Sequence, residues 1–123
     1  FMTRFDFLSR YGETVRLYNE FKKTFGHMAK LTGTLWEHLN TDTIYSCCHG
    51  FASSAVYIIM RDIVGIQDID VKNRIVIFRF SPGMPDEIHA KMPVDKGYIT
   101  LDIKDGVRDF SLPDGFTAIV IKG

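Results

Sequence analysis

The chain has 123 residues with 15 basic and 15 acidic side chains, so its formal net charge is zero. Apolar residues make up 46% and charged residues 24%, a globular mix that argues against disorder and, at this length, suits one domain or two small pieces sharing a core. The balanced charge removes the electrostatic signature of a nucleic-acid or membrane-surface partner, and no run approaches the roughly 18 apolar residues of a membrane-spanning helix.

Phe1 precedes Met2, and the expectation drawn from that order is a piece of something longer. A first short helix is expected around Thr3 to Arg10. A longer one follows, because Val15, Tyr18, Phe21, Phe25 and Met28 recur at three- and four-residue steps, with Gly12 and Gly33 as stop signals on either side. A third helix is expected from about Gly50 to Ile63. It is apolar or small nearly all round from Phe51 to Met60, which predicts burial on most sides. Three helices of this length offer too little surface to bury it, a hint of missing neighbours.

Composition changes near Gly65. Residues 1–63 hold none of the 4 prolines, whereas the remainder holds all of them, so the predicted organisation is helices over 1–64 and strands over 65–123. A short joining segment is expected around Gly65 to Asn73. Strands are expected at Ile75 to Phe80, around Ile88, Ala90 and Met92, around Ile99, Leu101 and Ile103, and at Thr117 to Ile121. Pro82-Gly83, Lys96-Gly97, Asp105-Gly106 and Asp114-Gly115 punctuate them as turns. Short antiparallel strands at this spacing predict a small sandwich or sheet.

The chemistry-bearing stretch is Gly33-Thr34-Leu35-Trp36-Glu37 followed by Ser46-Cys47-Cys48-His49-Gly50-Phe51. Both segments lie at expected helix ends, where a scaffold displays functional side chains. Trp36 beside Glu37 pairs a flat apolar surface with a carboxylate, which suits a sugar ring, and lost hydration beside an indole raises a carboxyl toward general-base values. The alternative is a surface glutamate after a core tryptophan. His49 is either a pocket hydrogen-bonding group or a capping histidine. Cys47 and Cys48 are adjacent and read as reduced thiols. Consecutive Cys47-Cys48-His49 side chains diverge, so no metal site is expected. Asp6, Asp42 and Asp62 are further carboxylates, and Asp62 after Arg61 reads as surface or interface ion pairing. Inverting glycoside hydrolysis needs two carboxyl groups flanking the sugar. Glu37 is one candidate, with no convincing acid partner.

The runs Leu8-Ser9-Arg10-Tyr11-Gly12, Met28 to Glu37, Cys48-His49-Gly50-Phe51-Ala52-Ser53 and Arg61 to Ile66 together resemble the end of the catalytic domain of bacterial α-L-rhamnosidases, glycoside hydrolase family 78, of Bacteroidetes type. Ile77 to Phe80, Ile88 to Gly97 and Leu112-Pro113-Asp114-Gly115 resemble the family's C-terminal β-domain more weakly. The resemblance implies an α+β fragment: the last helices of an (α/α)6 toroid over 1–64, then a small antiparallel β-domain over 65–123. It implies inverting hydrolysis of terminal α-L-rhamnosides, with Glu37 as general base and Trp36, His49 and Phe51 as sugar contacts. Phe51 stands where many members have Trp, and Ala55 where many have Pro. The family's general acid lies upstream of the matched runs, so the isolated chain is expected to be inactive. No cofactor is implied, and the expected partner is a rhamnose-containing carbohydrate, without nucleic acid or membrane insertion. The location is undetermined, periplasmic or extracellular if the chain is like exported relatives. The rival readings are a noncatalytic carbohydrate-binding or accessory module, and a scaffold that self-associates through its exposed toroid face.

Overall fold

The computed structural model describes residues 2–36 and 54–122. The chain divides into two compact units, Phe1–Ile59 and Met60–Gly123, and the described elements make a small α+β protein.

In the first unit, α1 (Met2–Arg10) and α2 (Thr14–Thr32) are joined by a tight reversal. The Glu13 amide reaches back to the Leu8 carbonyl at 2.9 Å and the Gly12 amide to Ser9 at 3.1 Å, the paired bonds of a Schellman cap that satisfy carbonyls at the end of α1. Phe5 from α1 packs against Phe21 and Phe25 of α2 at ring separations of 5.9 and 5.8 Å. Leu8, Leu17 and Met28 complete the buried stripe. The inward face of α2 is therefore Leu17, Phe21, Phe25 and Met28, while Val15 is exposed. This corrects the expected face: both phases share the last three residues, and Leu17 continues the four-residue step that Val15 does not. Outside this core, Arg4 donates to Glu20 through Nε at 2.5 Å and Nη2 at 2.7 Å, tying α1 to α2.

The described part of the third helix is α3 (Ser54–Ile58), which runs into a π-helical segment, Ile59–Val64. Only Ala55 and Ile58 of α3 are buried, and Val56 and Tyr57 are more than half exposed. Ser54, Ile59 and Met60 are partly covered, so Val56 and Tyr57 mark the exposed side of this apolar run.

The second unit holds two three-stranded sheets. The first has the order β1 (Ile66–Asp70), β2 (Ile75–Phe80), β6 (Thr117–Lys122); the second has β3 (Glu87–Val94), β4 (Gly97–Lys104), β5 (Val107–Ser111). The second sheet is an antiparallel meander. Its β4–β5 hairpin turns on Asp105-Gly106, both with positive φ (52° and 76°), the signature of a type I′ turn. The first sheet is mixed, because β6 pairs parallel to β2, Ile75 opposite Thr117. An all-antiparallel β-domain is thus corrected. The chain between β2 and β6 builds the other sheet before returning, and a parallel partner requires such a long crossover. Pro93 sits on β3, an edge strand, where a missing amide costs the ladder little. Val76 and Phe78 of β2 are buried, as are Ile99, Leu101 and Ile103 of β4. Phe78 stacks with Phe80 at 5.5 Å and meets Phe110 of β5 at a 34° tilt, 5.0 Å away, and Arg108 lies over Phe80.

Two sequence expectations change here. The segment expected to be a joiner contains β1, whose alternation is broken by a bulge between Ile66 and Asp68. Asp62 pairs with Arg61 as expected, but the pair is not at the surface: the Asp62 side chain is fully enclosed, with Arg61 Nη2 at 2.7 Å and Arg79 Nη2 at 3.6 Å. A carboxylate can be buried where opposite charges replace its water.

Candidate functional site

α2 ends at Gly33, whose φ of 71° and amide bond to the Ala29 carbonyl form a left-handed C-cap. The cap turns the chain back over the last helical turn, and Trp36 lands there, 3% exposed. Its backbone amide points at Met28 Sδ, 3.4 Å away. Its indole Nε1 donates to Thr32 Oγ1 at 2.7 Å, which provides the partner that a buried indole N–H requires. The His27 ring meets the indole edge-on, with centroids 5.8 Å apart and planes at 76°.

Thr32 is the hub of this cluster. Its hydroxyl is 3.2 Å from the Met28 carbonyl and 2.8 Å from Thr34 Oγ1. A hydroxyl has one hydrogen to give and two lone pairs. When Thr32 donates to the Met28 carbonyl, its oxygen accepts from Trp36 Nε1, and the hydroxyl of Thr34 and its more distant amide at 3.4 Å share the remaining lone pair. The arrangement fixes Trp36 at both main chain and side chain, so the residue immediately before Glu37 is held by α2.

Of the four site residues expected from sequence, Trp36 lies within the described residues; Glu37, His49 and Phe51 lie outside them, as do Asp42, Cys47 and Cys48. The structure joins Trp36 to Thr32 and to His27, neither of which the sequence pattern paired with it. Thr32 and Trp36 are four residues apart, a spacing that reads as a contact only inside a helix, and Gly33 ends the helix between them. Among the described residues, no three His, Cys, Asp or Glu side chains converge as a metal-binding group, and no helix is long and apolar enough to cross a membrane.

No protein-family model, curated protein or solved structure matches the chain.

Proposed function

We propose that the chain carries part of the catalytic centre of an α-L-rhamnosidase-like glycoside hydrolase, the last helices of an (α/α)6 toroid followed by its β-domain. In this reading Glu37 is the general base that takes a proton from a water as that water attacks the anomeric carbon of a terminal α-L-rhamnose. The leaving oxygen is protonated by a carboxylic acid from outside these 123 residues, and the sugar inverts. His49 and Phe51 contact the sugar, and Trp36, enclosed against α2, anchors the chain that leads to Glu37.

The observation that supports the reading is that Gly33 to Trp36, the residues leading into Glu37 in sequence, lie at the end of α2, with Trp36 tethered to Thr32 and Met28. A catalytic base works only when its position is fixed by supporting contacts, and the residue before Glu37 has them. Trp36 is also the chain's single tryptophan, so its fluorescence reports on this place alone.

The test is a titration with L-rhamnose, read by that fluorescence, beside an aryl α-L-rhamnoside turnover assay. No turnover by the chain alone is expected, and a saturable response to L-rhamnose without turnover favours the noncatalytic carbohydrate-binding module over this reading. Turnover of the aryl rhamnoside by the chain alone, abolished in Glu37→Gln, overturns the reading of an incomplete catalytic centre.

A further inference from the structure

A second place in the molecule has the makings of a site, and it lies wholly within the unit Met60–Gly123. A cleft of about 580 Å³ opens there on the face of the β3–β4–β5 sheet opposite Ile99, Leu101 and Ile103. That volume falls within the ~300–1,000 Å³ range of small-ligand sites.

Strand register builds its floor. Lys91 on β3 stands opposite Thr100 on β4, which stands opposite Ser111 on β5. One cross-strand row therefore presents an ammonium and two hydroxyls. Thr100 Oγ1 and Ser111 Oγ are 2.6 Å apart; they share one hydrogen between them and keep the other for a ligand. Tyr98, on the same face of β4 and 53% exposed, lies under the Lys91 ammonium, 4.1 Å from ring centroid to Nζ.

The walls are rigid for identifiable reasons. Pro113 closes against Gly97, where a Cβ would come within 2.9 Å of the proline ring. Arg74 donates through Nη1 to the Asp114 carbonyl at 3.0 Å and lies over the Phe116 ring. Its own carbonyl receives the Thr117 amide at 2.8 Å. Lys96 adds a third cation from the β3–β4 turn, and Asp95 and Asp114 are the two carboxylates of the lining. The cleft thus carries a net positive charge in a chain with none overall.

We propose that this cleft binds a saccharide bearing a carboxylate, a uronic-acid-containing oligosaccharide. Ammonium and guanidinium groups hold a carboxylate by charge-assisted hydrogen bonds. The Thr100–Ser111 pair matches sugar hydroxyls, and Tyr98 with Pro113 offers apolar surface to the C–H face of a ring. A bare phosphate uses only the cations and a neutral sugar only the hydroxyls and the ring; an acidic sugar uses all three. The proposal stands on the cleft alone and does not depend on the rhamnoside reading, whose residues lie in the other segment of the chain.

The experiment is calorimetric titration of the whole chain with digalacturonate, with its neutral counterpart galactobiose, and with inorganic phosphate. Saturable binding of digalacturonate is expected, with galactobiose and phosphate each at least about tenfold weaker, the equivalent of one charge-assisted hydrogen bond. Lys91→Gln and Lys96→Gln, both at exposed positions, each weaken digalacturonate about tenfold and leave the circular dichroism unchanged. Thr100→Val weakens digalacturonate without affecting phosphate. Phosphate or galactobiose binding as tightly as digalacturonate, no binding of digalacturonate, or lysine variants that bind like the wild type each overturn the proposal.

Discussion

Trp36 hands its indole hydrogen to Thr32 across the glycine that ends α2, and the 2.7 Å bond holds the last ring of the helical core. Thr32→Val keeps the shape of the side chain and removes the acceptor. Thr32 is itself exposed and the bond only part-buried, so the unmet donor costs at the lower end of the usual range, about 1 kcal/mol, and Thr32→Val is expected to unfold earlier in denaturant, followed by the fluorescence of the single tryptophan. Thr32→Ser keeps the oxygen and stays near wild type. Equal stability of the valine variant and wild type would show that the bond contributes nothing.

Asp62 is the most enclosed carboxylate among the described residues, set against Arg61 and Arg79. Breaking a buried pair from one side strands the remaining charge and costs about 3–5 kcal/mol. Both guanidinium groups keep some water, so Asp62→Ala is expected at the lower end, about 3 kcal/mol. Replacing the three charges together by apolar side chains is expected to recover most of that loss. Thermal unfolding of the single and triple variants checks the pair, and a harmless Asp62→Ala removes the argument.

What the sequence made legible follows from where its signal is local. The three- and four-step apolar spacing located α2, and Gly33 marked its end. Alternation located β4, with Ile99, Leu101 and Ile103 inside, and Asp105-Gly106 marked its turn. Other features depend on distant partners. β1 hides behind two aspartates and a bulge, and β5 shows no buried alternate face, since all five of its residues are exposed. The parallel pairing of β2 with β6 is set by a return across the whole second sheet. Asp62 reads as the polar end of an apolar run until Arg79 is brought beside it. At the candidate site, the position of Trp36 at a helix end was readable, whereas Thr32 as its partner was not, because the chain reverses between them.

Gly65 lies between the π-helical segment and β1, with φ at 95° and its carbonyl accepting the Arg79 amide at 2.8 Å. A Cβ there would sit 2.7 Å from the Arg79 carbonyl oxygen. Gly65→Ala is therefore expected to cost at least about 1–3 kcal/mol from backbone strain. Gly26 is the contrast, exposed within α2 with no neighbour near its missing Cβ. Gly26→Ala is expected to stabilise by up to about 1 kcal/mol through helix propensity. Opposite shifts in melting temperature are the expected result, and shifts of the same sign would refute the conformational argument.

Glu20 is the residue through which acid should loosen the α1–α2 hairpin. Hydrogen bonds from Arg4, foremost, and from Arg16 hold its carboxyl at about 2, below the ordinary 4.5. A carboxyl with a depressed value in the folded chain is protonated more readily once unfolded. Its contribution to stability is therefore complete above about pH 4.5 and is lost as the pH falls from there toward 2. The pair is open to solvent, so its contribution is modest and salt-sensitive. Denaturation midpoints measured across this range are expected to decline less steeply in Glu20→Gln than in wild type. Raising the ionic strength should narrow the gap between the two curves. Parallel curves through the window would mean that Arg4 and Glu20 touch without stabilising the fold.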